Sequence, residues 1–200
     1  MVSRTWRILI LLASVLLPSK SALAAEAHWP QVLTLATATE GGTYYAYGEG
    51  LARLLTRELG VAVVTRRTGG PIENIKLLEA GEVQLAFVTQ GVALHAWNAS
   101  APWTEGRQYR NMRAMFAMYD TPFQFQVMSD SPIQSFAEFA GKKIGVGPAG
   151  GTTASYLPEF LKAMKIEATL VQGNGKILRK SQSGEASTRS PSPRACRLRS

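Results

Sequence analysis

The sequence contains little of the chemistry on which enzyme active sites and metal centres are built. Its 200 residues include one cysteine, Cys196, and two histidines, His28 and His95. A lone cysteine cannot form a disulfide within the chain, so the fold must be stabilised by an apolar core. The histidines have no ligand-like neighbours, and the sequence has neither a G-x-S-x-G nor an H-E-x-x-H motif. We predict no catalytic residue, metal site or cofactor, and expect His95 to be a partly buried helix residue.

A clustered basic face is also lacking. The formal net charge is +8 at pH 7, but the positive charge is concentrated at the two ends of the chain. Residues 1–24 contain three basic residues, residues 173–200 contain seven basic and one acidic, and residues 25–172 contain 12 basic and 13 acidic. Nucleic-acid binding requires basic residues clustered on the folded part, so we predict no nucleic-acid partner.

The first 24 residues have the organisation of an export signal. Arg4 and Arg7 precede an apolar run over residues 8–17, and residues 22–24 end in the small-x-small pattern that signal peptidase recognises. The alternative is an N-terminal membrane anchor, but this run is short of the ~20 apolar residues needed to span a bilayer. We predict that residues 1–24 are a signal peptide and that the mature chain is exported.

Residues 32–98 alternate three times between a predicted strand and a predicted helix. Each helix follows a turn rich in glycine and hydroxyl residues, and Gly60 and Gly81 end the first two helices. The third strand is mostly apolar and does not alternate, which is typical of parallel strands covered on both faces. The predicted strands are 32–38, 61–65 and 83–88, and the helices start with Thr43 as N-cap, with Pro71 as first helical residue, and at the 89–91 turn. The pattern predicts an α/β fold whose three turns share one edge of a parallel sheet.

The pattern over residues 112–171 predicts that the chain crosses from the first unit into a second one. Two extended apolar runs, 112–119 and 123–128, flank Thr121 and Pro122. A short helix over 136–142, a strand over 143–146, a turn over 147–153, a helix over 153–164 and a strand over 168–171 follow. Because Pro158 is costly inside a helix, we expect the regular part of the long helix to begin near Ser155.

The pattern breaks down after Gln172. Residues 173–200 are rich in serine and arginine and have almost no apolar periodicity, so we predict a disordered basic tail. The segment is either a natural tail or the product of a reading-frame shift. The abrupt change, and a second unit with only two strands, favour the frame shift and a truncated second unit.

Three turns carry the functional prediction. Any one of them could be an ordinary helix-entry turn. Together, each between a strand and a helix, they offer backbone N–H groups and helix N-termini to an anionic or strongly polar small molecule. The turns are residues 39–45 with Thr39, Gly41, Gly42, Thr43, Tyr44 and Tyr45, residues 68–71 with two glycines, and residues 147–153 with a matching turn from the second unit.

An alternative is a dinucleotide site. Residues 145–150 fit G-x-G-x-x-G between a strand and a helix, as in NAD(P)-binding oxidoreductases. The acidic residue that should end the next strand is missing, because Glu167 precedes that strand instead. Export would also separate the chain from the cytoplasmic nicotinamide pool. A Walker loop is excluded, since Gly151 stands where the lysine should be.

At these turns the chain resembles the TAXI family, the solute receptors of tripartite ATP-independent periplasmic (TRAP) transporters. The similar segments are GGTYYAYGEGLARLL, RTGGPIENIKLLEAGEVQLAFVTQGVA and FAEFAGKKIGVGPAGGTT, in the family's order from Val32 to Val171. The resemblance implies a two-lobed, type II periplasmic-binding-protein fold with mostly parallel sheets and an incomplete second lobe. The first lobe would be residues 25–120, and residues 121–172 would form the hinge strands and partial second lobe.

The resemblance also implies a site and a function. We expect a periplasmic receptor, not an enzyme, that closes two lobes about residues 121–128 on a small carboxylate-bearing solute, such as glutamate or a 2-oxo dicarboxylate, and passes it to a membrane permease. As a truncated chain it should bind poorly. An exported enzyme is the other alternative. The expected ligand-binding residues are Thr39, Gly42, Thr43, Tyr44, Gly69, Gly70, Thr89, Gln90, Gly150, Thr152 and Thr153.

Two departures from the family pattern bear on that site. Gly151, Thr152 and Thr153 stand where members often have Ser-Gly-Thr, which changes the hydroxyl that faces the cleft. Glu40 places a carboxylate in the first turn, where it would oppose an anionic ligand unless it points to solvent.

Overall fold

The computed structural model describes residues 29–173 and the backbone of residues 194–195. The predicted signal peptide lies outside the described residues. So does most of the predicted disordered tail, whose described part is Gly173 and a two-residue strand. The strands are β1 (Val32–Ala36), β2 (Ala62–Arg66), β3 (Leu85–Ala86), β4 (Gln126–Val127), β5 (Lys143–Gly147), β6 (Thr169–Gln172) and β7 (Arg194–Ala195), and the helices are α1 (Thr43–Leu59), α2 (Pro71–Glu79), α3 (Gln90–Asn98) and α4 (Thr152–Ala163), with short 3-10 helices at Pro102–Thr104 and Phe136–Phe139.

The first unit is built on a parallel sheet in the order β2-β1-β3. Val32 of β1 pairs with Ala62 of β2, and Leu35 pairs with Leu85 of β3. Because successive strand residues point to opposite faces, β1 contributes to two cores. Leu35 packs with Ala52 of α1, and its neighbour Ala36 packs with Leu77 of α2. Helices therefore cover both faces of the sheet, as the apolar third strand predicts.

Helix α3 packs on α2 rather than on the sheet alone. Their shared core contains Ile72, Ile75, Val92, Ala96 and Tyr109, all of which are buried. The N–H of Tyr109 donates to the carbonyl of Ala96 at 3.1 Å, which closes the loop that follows α3. The starts of α2 and α3 are thus held together by packing behind the turns.

The second unit has its own sheet and its own core. β5 and β6 are parallel, with Lys143 opposite Thr169 and a register shift between Gly145 and Gly147. Ser135 and Glu138 form a capping box at the start of the second 3-10 helix. The core of this unit, Phe139, Ile144, Val146, Leu157 and Leu161, shares no member with the buried clusters of the first unit.

The α/β class with parallel sheets is confirmed. Two local predictions are wrong. Thr43 is the first helical residue of α1 and Gly42 is its N-cap, with extended backbone. Helix α4 begins at Thr152 rather than near Ser155 and keeps Pro158 inside it. The run over residues 112–119, predicted as extended, is not part of a sheet within the described residues. In the second predicted run only Gln126–Val127 pairs with another strand, the antiparallel β7.

Candidate functional site

Three polar turns lie at one edge of the first sheet because they follow three neighbouring parallel strands. Thr37 comes directly after β1, Thr68 is two residues after β2, and Phe87 comes directly after β3. Both the N–H and the hydroxyl of Thr37 donate to the carbonyl of Arg66, at 2.9 and 3.1 Å, which ties the first turn to β2. The prediction that these turns share one sheet edge is confirmed.

Asn74, on α2, joins the three turns through one buried side chain. Its Nδ2 donates to the carbonyl oxygens of Thr37 and Phe87, each at 2.8 Å. Its Oδ1 accepts from the hydroxyl of Thr68 at 2.6 Å. Asn74, with 0% exposure, is fully buried, so no water competes for these groups. Sequence reasoning missed this residue, and the only signal was an amide within the otherwise apolar stretch after Pro71.

The turn after β2 uses its backbone donors within the chain. The N–H of Gly69 donates to Oε2 of Glu73 at 2.6 Å, and the N–H of Gly70 donates to the hydroxyl of Thr68 at 3.2 Å. The N–H of Ile72 donates to the carbonyl of Gly150, in the second unit, at 3.1 Å. Glu73 also places a carboxylate at the positive end of α2. The N–H of Ile72 and the positive end of α2 are therefore met by groups of the chain itself.

The turn after β5 meets the turn after β2 through glycines. Gly70 has a φ of +128° and a ψ of −162°, a conformation open essentially to glycine alone. A Cβ on Gly70 would lie 2.9 Å from the carbonyl oxygen of Gly150, and one on Gly150 would lie 3.3 Å from the carbonyl carbon of Gly69. The two backbones approach this closely because neither residue has a side chain.

A second contact between the units joins two of the predicted hydroxyl residues. Oγ1 of Thr89, the N-cap of α3, lies 3.0 Å from Oγ1 of Thr152, the first residue of α4. Tyr156 extends this contact, because its hydroxyl lies where a Cβ of Gly91 would be. The starts of α3 and α4 therefore face each other.

The starts of α1, α3 and α4 differ from the start of α2. In these three helices the first turn has no acidic residue, whereas the first turn of α2 contains Glu73. Within residues 29–173 no side chain caps the N-terminus of any of the four helices. The N-caps of α1, α3 and α4 are Gly42, Thr89 and Gly151, all with extended backbone. The positive helix ends here are not neutralised by a carboxylate, so they suit an anion.

Aromatic rings line the approach to the first turn. Tyr44 contacts Phe87, with ring centroids 5.2 Å apart, and Tyr119, at 6.4 Å, and Tyr47 contacts the same two rings. Burial, with a smaller contribution from Tyr119, raises the pKa of Tyr44 to about 12. The hydroxyl of Tyr44 therefore stays protonated and can donate a hydrogen bond at any physiological pH.

A second aromatic group lies between the units. Tyr156 of α4 stacks on His95 of α3, with centroids 4.8 Å apart, and contacts Phe123 and Phe160. Burial, followed by the nearby Glu159, raises the pKa of Tyr156. His95 is partly buried in α3, as predicted, and the described residues offer no hydrogen-bond partner to its Nδ1.

The structure places the predicted site residues in four turns and joins some of them directly. Gly69 and Gly70 contact Gly150, and Thr89 contacts Thr152. Thr39, Gly42, Thr43 and Tyr44 lie in the turn after β1, Gln90 lies at the start of α3, and Thr153 lies at the start of α4. Glu40 pairs with Arg67 at 3.0 Å, with both side chains more than half exposed, so its charge is met by an arginine at the surface.

A shallow groove of about 510 Å³ lies elsewhere, between α1 and β2. None of the predicted site residues lines it. Its walls are mixed, with charged side chains from α1 and apolar ones from the exposed edge strand. The lining residues are Glu49, Ala52, Arg53, Thr56, Arg57, Val63, Val64 and Thr65.

Residues 29–173 contain no group of three or more His, Cys, Asp or Glu side chains placed to hold a metal ion. No helix in this part is both long and apolar enough to cross a bilayer.

Comparison with known proteins gives a family match and a structural likeness. The model of the NMT1-like family matches residues 35–188. The match continues past Gln172, where the sequence pattern breaks down, so this position is not a boundary of the family similarity. A solved structure, R. palustris Rpa4515 with adipate, is similar with 22% sequence identity and a TM-score of 0.47, over 78% of this chain and 58% of that chain. The chain thus spans less than two thirds of that protein.

Proposed function

Because the chain belongs to the NMT1-like family, we propose that it is an extracytoplasmic solute-binding receptor. It binds a small carboxylate-bearing solute, such as glutamate or another dicarboxylate, between its two units. The assignment to the TAXI family, the periplasmic location after removal of residues 1–24, and the TRAP membrane permease as partner are parts of this proposal. They rest on the resemblance of the turn motifs.

The observation that supports the proposal most strongly is that three helices without an acidic residue in the first turn begin close to one another. α1, α3 and α4 begin at Gly42, Thr89 and Gly151, and none has a carboxylate in its first turn. α3 and α4 face each other through the pair Thr89 and Thr152. An anion held there would accept backbone N–H bonds and lie at positive helix ends, without needing a lysine or arginine.

Within this site each predicted residue has a proposed role. Gly42, Thr43 and Tyr44 bind one end of the solute at the start of α1, with the hydroxyl of Thr39 beside them. Thr89, Gln90, Thr152 and Thr153 bind the other end. Gly69, Gly70 and Gly150 form the wall where the units meet, because their backbones already touch. The rings of Tyr44 and Phe87 enclose the apolar part of the solute.

In this proposal the contacts between the units belong to the closed state of the receptor. Opening about residues 121–128 would break the bond from the N–H of Ile72 to the carbonyl of Gly150, and the contact between Thr89 and Thr152. A solute that bridges the same helix starts would favour the closed state by its differential affinity. Binding is therefore coupled to closure, and no bond of the solute needs to be broken.

The dinucleotide alternative is less well supported. A pyrophosphate must approach the glycines of its fingerprint closely. Here the carbonyl of Gly150 accepts the N–H of Ile72, and the backbone of Gly150 packs against Gly69. The first unit thus occupies the space in front of the turn.

A thermal-shift panel on the full chain tests the proposal. The panel contains glutamate, 2-oxoglutarate and adipate, with a diamine of similar length and the corresponding neutral diamide as controls. At 100 times the dissociation constant a ligand adds about 2.7 kcal/mol of stability, which raises the melting temperature by roughly 5–10 °C in a chain of this size. A saturable rise with a dicarboxylate alone supports the proposal. Because the predicted truncation should weaken binding, each ligand is tested up to the highest soluble concentration. No rise over that range, or an equal rise with the diamine, contradicts the proposal that this chain is a working receptor.

A further inference from the structure

The side chain of Asn74 has a hydrogen-bonding arrangement that fixes its orientation. Two carbonyl oxygens, from Thr37 and Phe87, lie 2.8 Å from Nδ2, and one hydroxyl, from Thr68, lies 2.6 Å from Oδ1. A carbonyl can only accept, so the nitrogen must face the two carbonyls. The amide therefore uses both of its protons and its oxygen, and it leaves no polar atom unpaired.

The partners of Asn74 are the residues that set the position of the proposed site. Thr37 precedes Thr39 by two residues, Thr68 directly precedes Gly69, and Phe87 precedes Thr89 by two residues. One rigid side chain on α2 therefore holds the three strand-end turns at fixed distances from one another. The hydroxyl of Thr68 strengthens this link, because it also lies 3.2 Å from the carbonyl of Thr37.

We propose that Asn74 is the positioning residue of the solute site, which sets the spacing of its three first-unit turns without touching the solute. That the three turns form a solute site rests on the proposed function. The coupling of the turns through Asn74 follows from the geometry alone. Removing the two donors of Asn74 should loosen the turns after β1 and β3, while the turn after β2 keeps its bond to an acceptor at position 74.

Asn74→Asp makes this change with almost no change in volume. Aspartate keeps an oxygen acceptor for the hydroxyl of Thr68, and even when protonated it has only one donor for two carbonyls. Thr68→Val makes the reverse change, because it removes the hydroxyl and leaves the amide of Asn74 on Thr37 and Phe87. The control is Thr104→Val, which removes a buried hydroxyl that donates to the carbonyl of Ala101 at 2.7 Å, away from the strand ends.

Amide hydrogen exchange on the full chain measures the effect. For Asn74→Asp we expect exchange in peptides covering residues 37–45 and 87–93 to rise roughly 5- to 30-fold, with a smaller change in residues 68–72. Thr68→Val should give the opposite pattern, with the larger rise in residues 68–72. Thr104→Val should change none of the three. A uniform rise in all three segments, no rise, or the same rise in Thr104→Val overturns the proposal.

If Asn74→Asp does not fold, the exchange pattern of Thr68→Val decides the question alone. A rise in exchange confined to residues 68–72 supports the coupling, and a rise in residues 87–93 contradicts it.

Solute affinity separates this inference from the proposed function. If the unmodified chain binds no dicarboxylate, the receptor proposal fails while the exchange pattern still tests Asn74. If it does bind, Asn74→Asp should weaken the affinity at least 10-fold and Thr104→Val should not.

Discussion

Single glycines decide how closely the two units approach. Gly70 combines a backbone conformation that side chains rarely adopt with direct contact on Gly150. Gly106 also has a positive φ, of +75°, but its missing side chain would point into open space. Gly106 therefore provides a control with a positive φ and no contact between the units.

Gly70→Ala should destabilise the chain more than Gly106→Ala does. Both changes impose backbone strain of about 1–3 kcal/mol, and only Gly70→Ala adds a clash with the carbonyl of Gly150, for which we expect a further ~1–3 kcal/mol. Urea unfolding of both variants measures the difference. Equal losses would mean that the units do not touch at Gly70.

The hydroxyls of Thr89 and Thr152 should be energetically coupled. Thr89→Val, Thr152→Val and the double variant form a cycle whose interaction energy we expect at about 0.5–1.5 kcal/mol, since each single change removes the same hydrogen bond. Thr153→Val replaces Thr152→Val in the control cycle. The contact is refuted if both cycles are additive in urea unfolding.

Tyr44 makes stability depend on pH at the alkaline end. Its pKa is raised from 10.0 to about 12, so the neutral form is favoured by folding. This contribution is complete below pH 10 and is lost as the pH rises from 10 to 12. The urea midpoint should fall across that window, and Tyr44→Phe should reduce the fall. Tyr45→Phe is the control, and an equal reduction there would contradict the assignment.

Asn74 marks the limit of prediction at the scale of residues. Glycines and hydroxyls in the turns could be identified because turn chemistry is local. The role of Asn74 depends on carbonyls 37 residues before it and 13 residues after it, which only the tertiary fold brings together. Its single amide in an apolar stretch gives no indication of those partners.

At the scale of elements, the sequence predicts where a helix begins when the signal is a residue whose own backbone geometry suits that position. Pro71 is at the start of α2 as predicted, because its fixed φ suits the first turn and it needs no donor. The start of α1 was mispredicted by one residue. Thr43 is a good N-cap by residue type, but Gly42, within the tight turn from Thr39, has the extended backbone of the N-cap, so the helix begins one residue earlier than predicted.

Pro158 should be a source of instability in α4. It lies inside the helix, it is exposed, and it cannot donate to the carbonyl four residues earlier. Pro158→Ala should therefore raise the free energy of unfolding by about 1–3 kcal/mol. Glu159→Ala, at the adjacent exposed position, should stay within about 0.5 kcal/mol. Destabilisation by Pro158→Ala in urea unfolding would show that the ring makes contacts that outweigh the missing bond.

At the scale of the whole molecule, the chain consists of two packed units whose polar turns face each other. The alternation of strands and helices predicts the α/β class, because hydrophobic periodicity reflects packing on a sheet. The extended run over residues 112–119 was less predictable, since apolar composition does not reveal whether a neighbouring strand is present. Its Met115 and Phe116 are 74% and 62% exposed.

The contact between the units could not be predicted from the sequence. The motifs indicate that Gly69, Gly70 and Gly150 belong to turns of similar kind, and they give no information on which turns touch. Opposing glycines permit close approach of two backbones, but only the folded chain shows that the N–H of Ile72 reaches the carbonyl of Gly150. This contact, together with Glu73 in its first turn, distinguishes α2 from the other three helices.

The central claim is that a dicarboxylate binds at the starts of α1, α3 and α4. Amide hydrogen exchange on the full chain, with and without the most stabilising dicarboxylate, tests it most directly. The account predicts protection in residues 42–45, 89–92 and 151–154, with the amides of residues 69–73 changing less. Protection confined to the groove between α1 and β2, or no protection at any helix start, would contradict it.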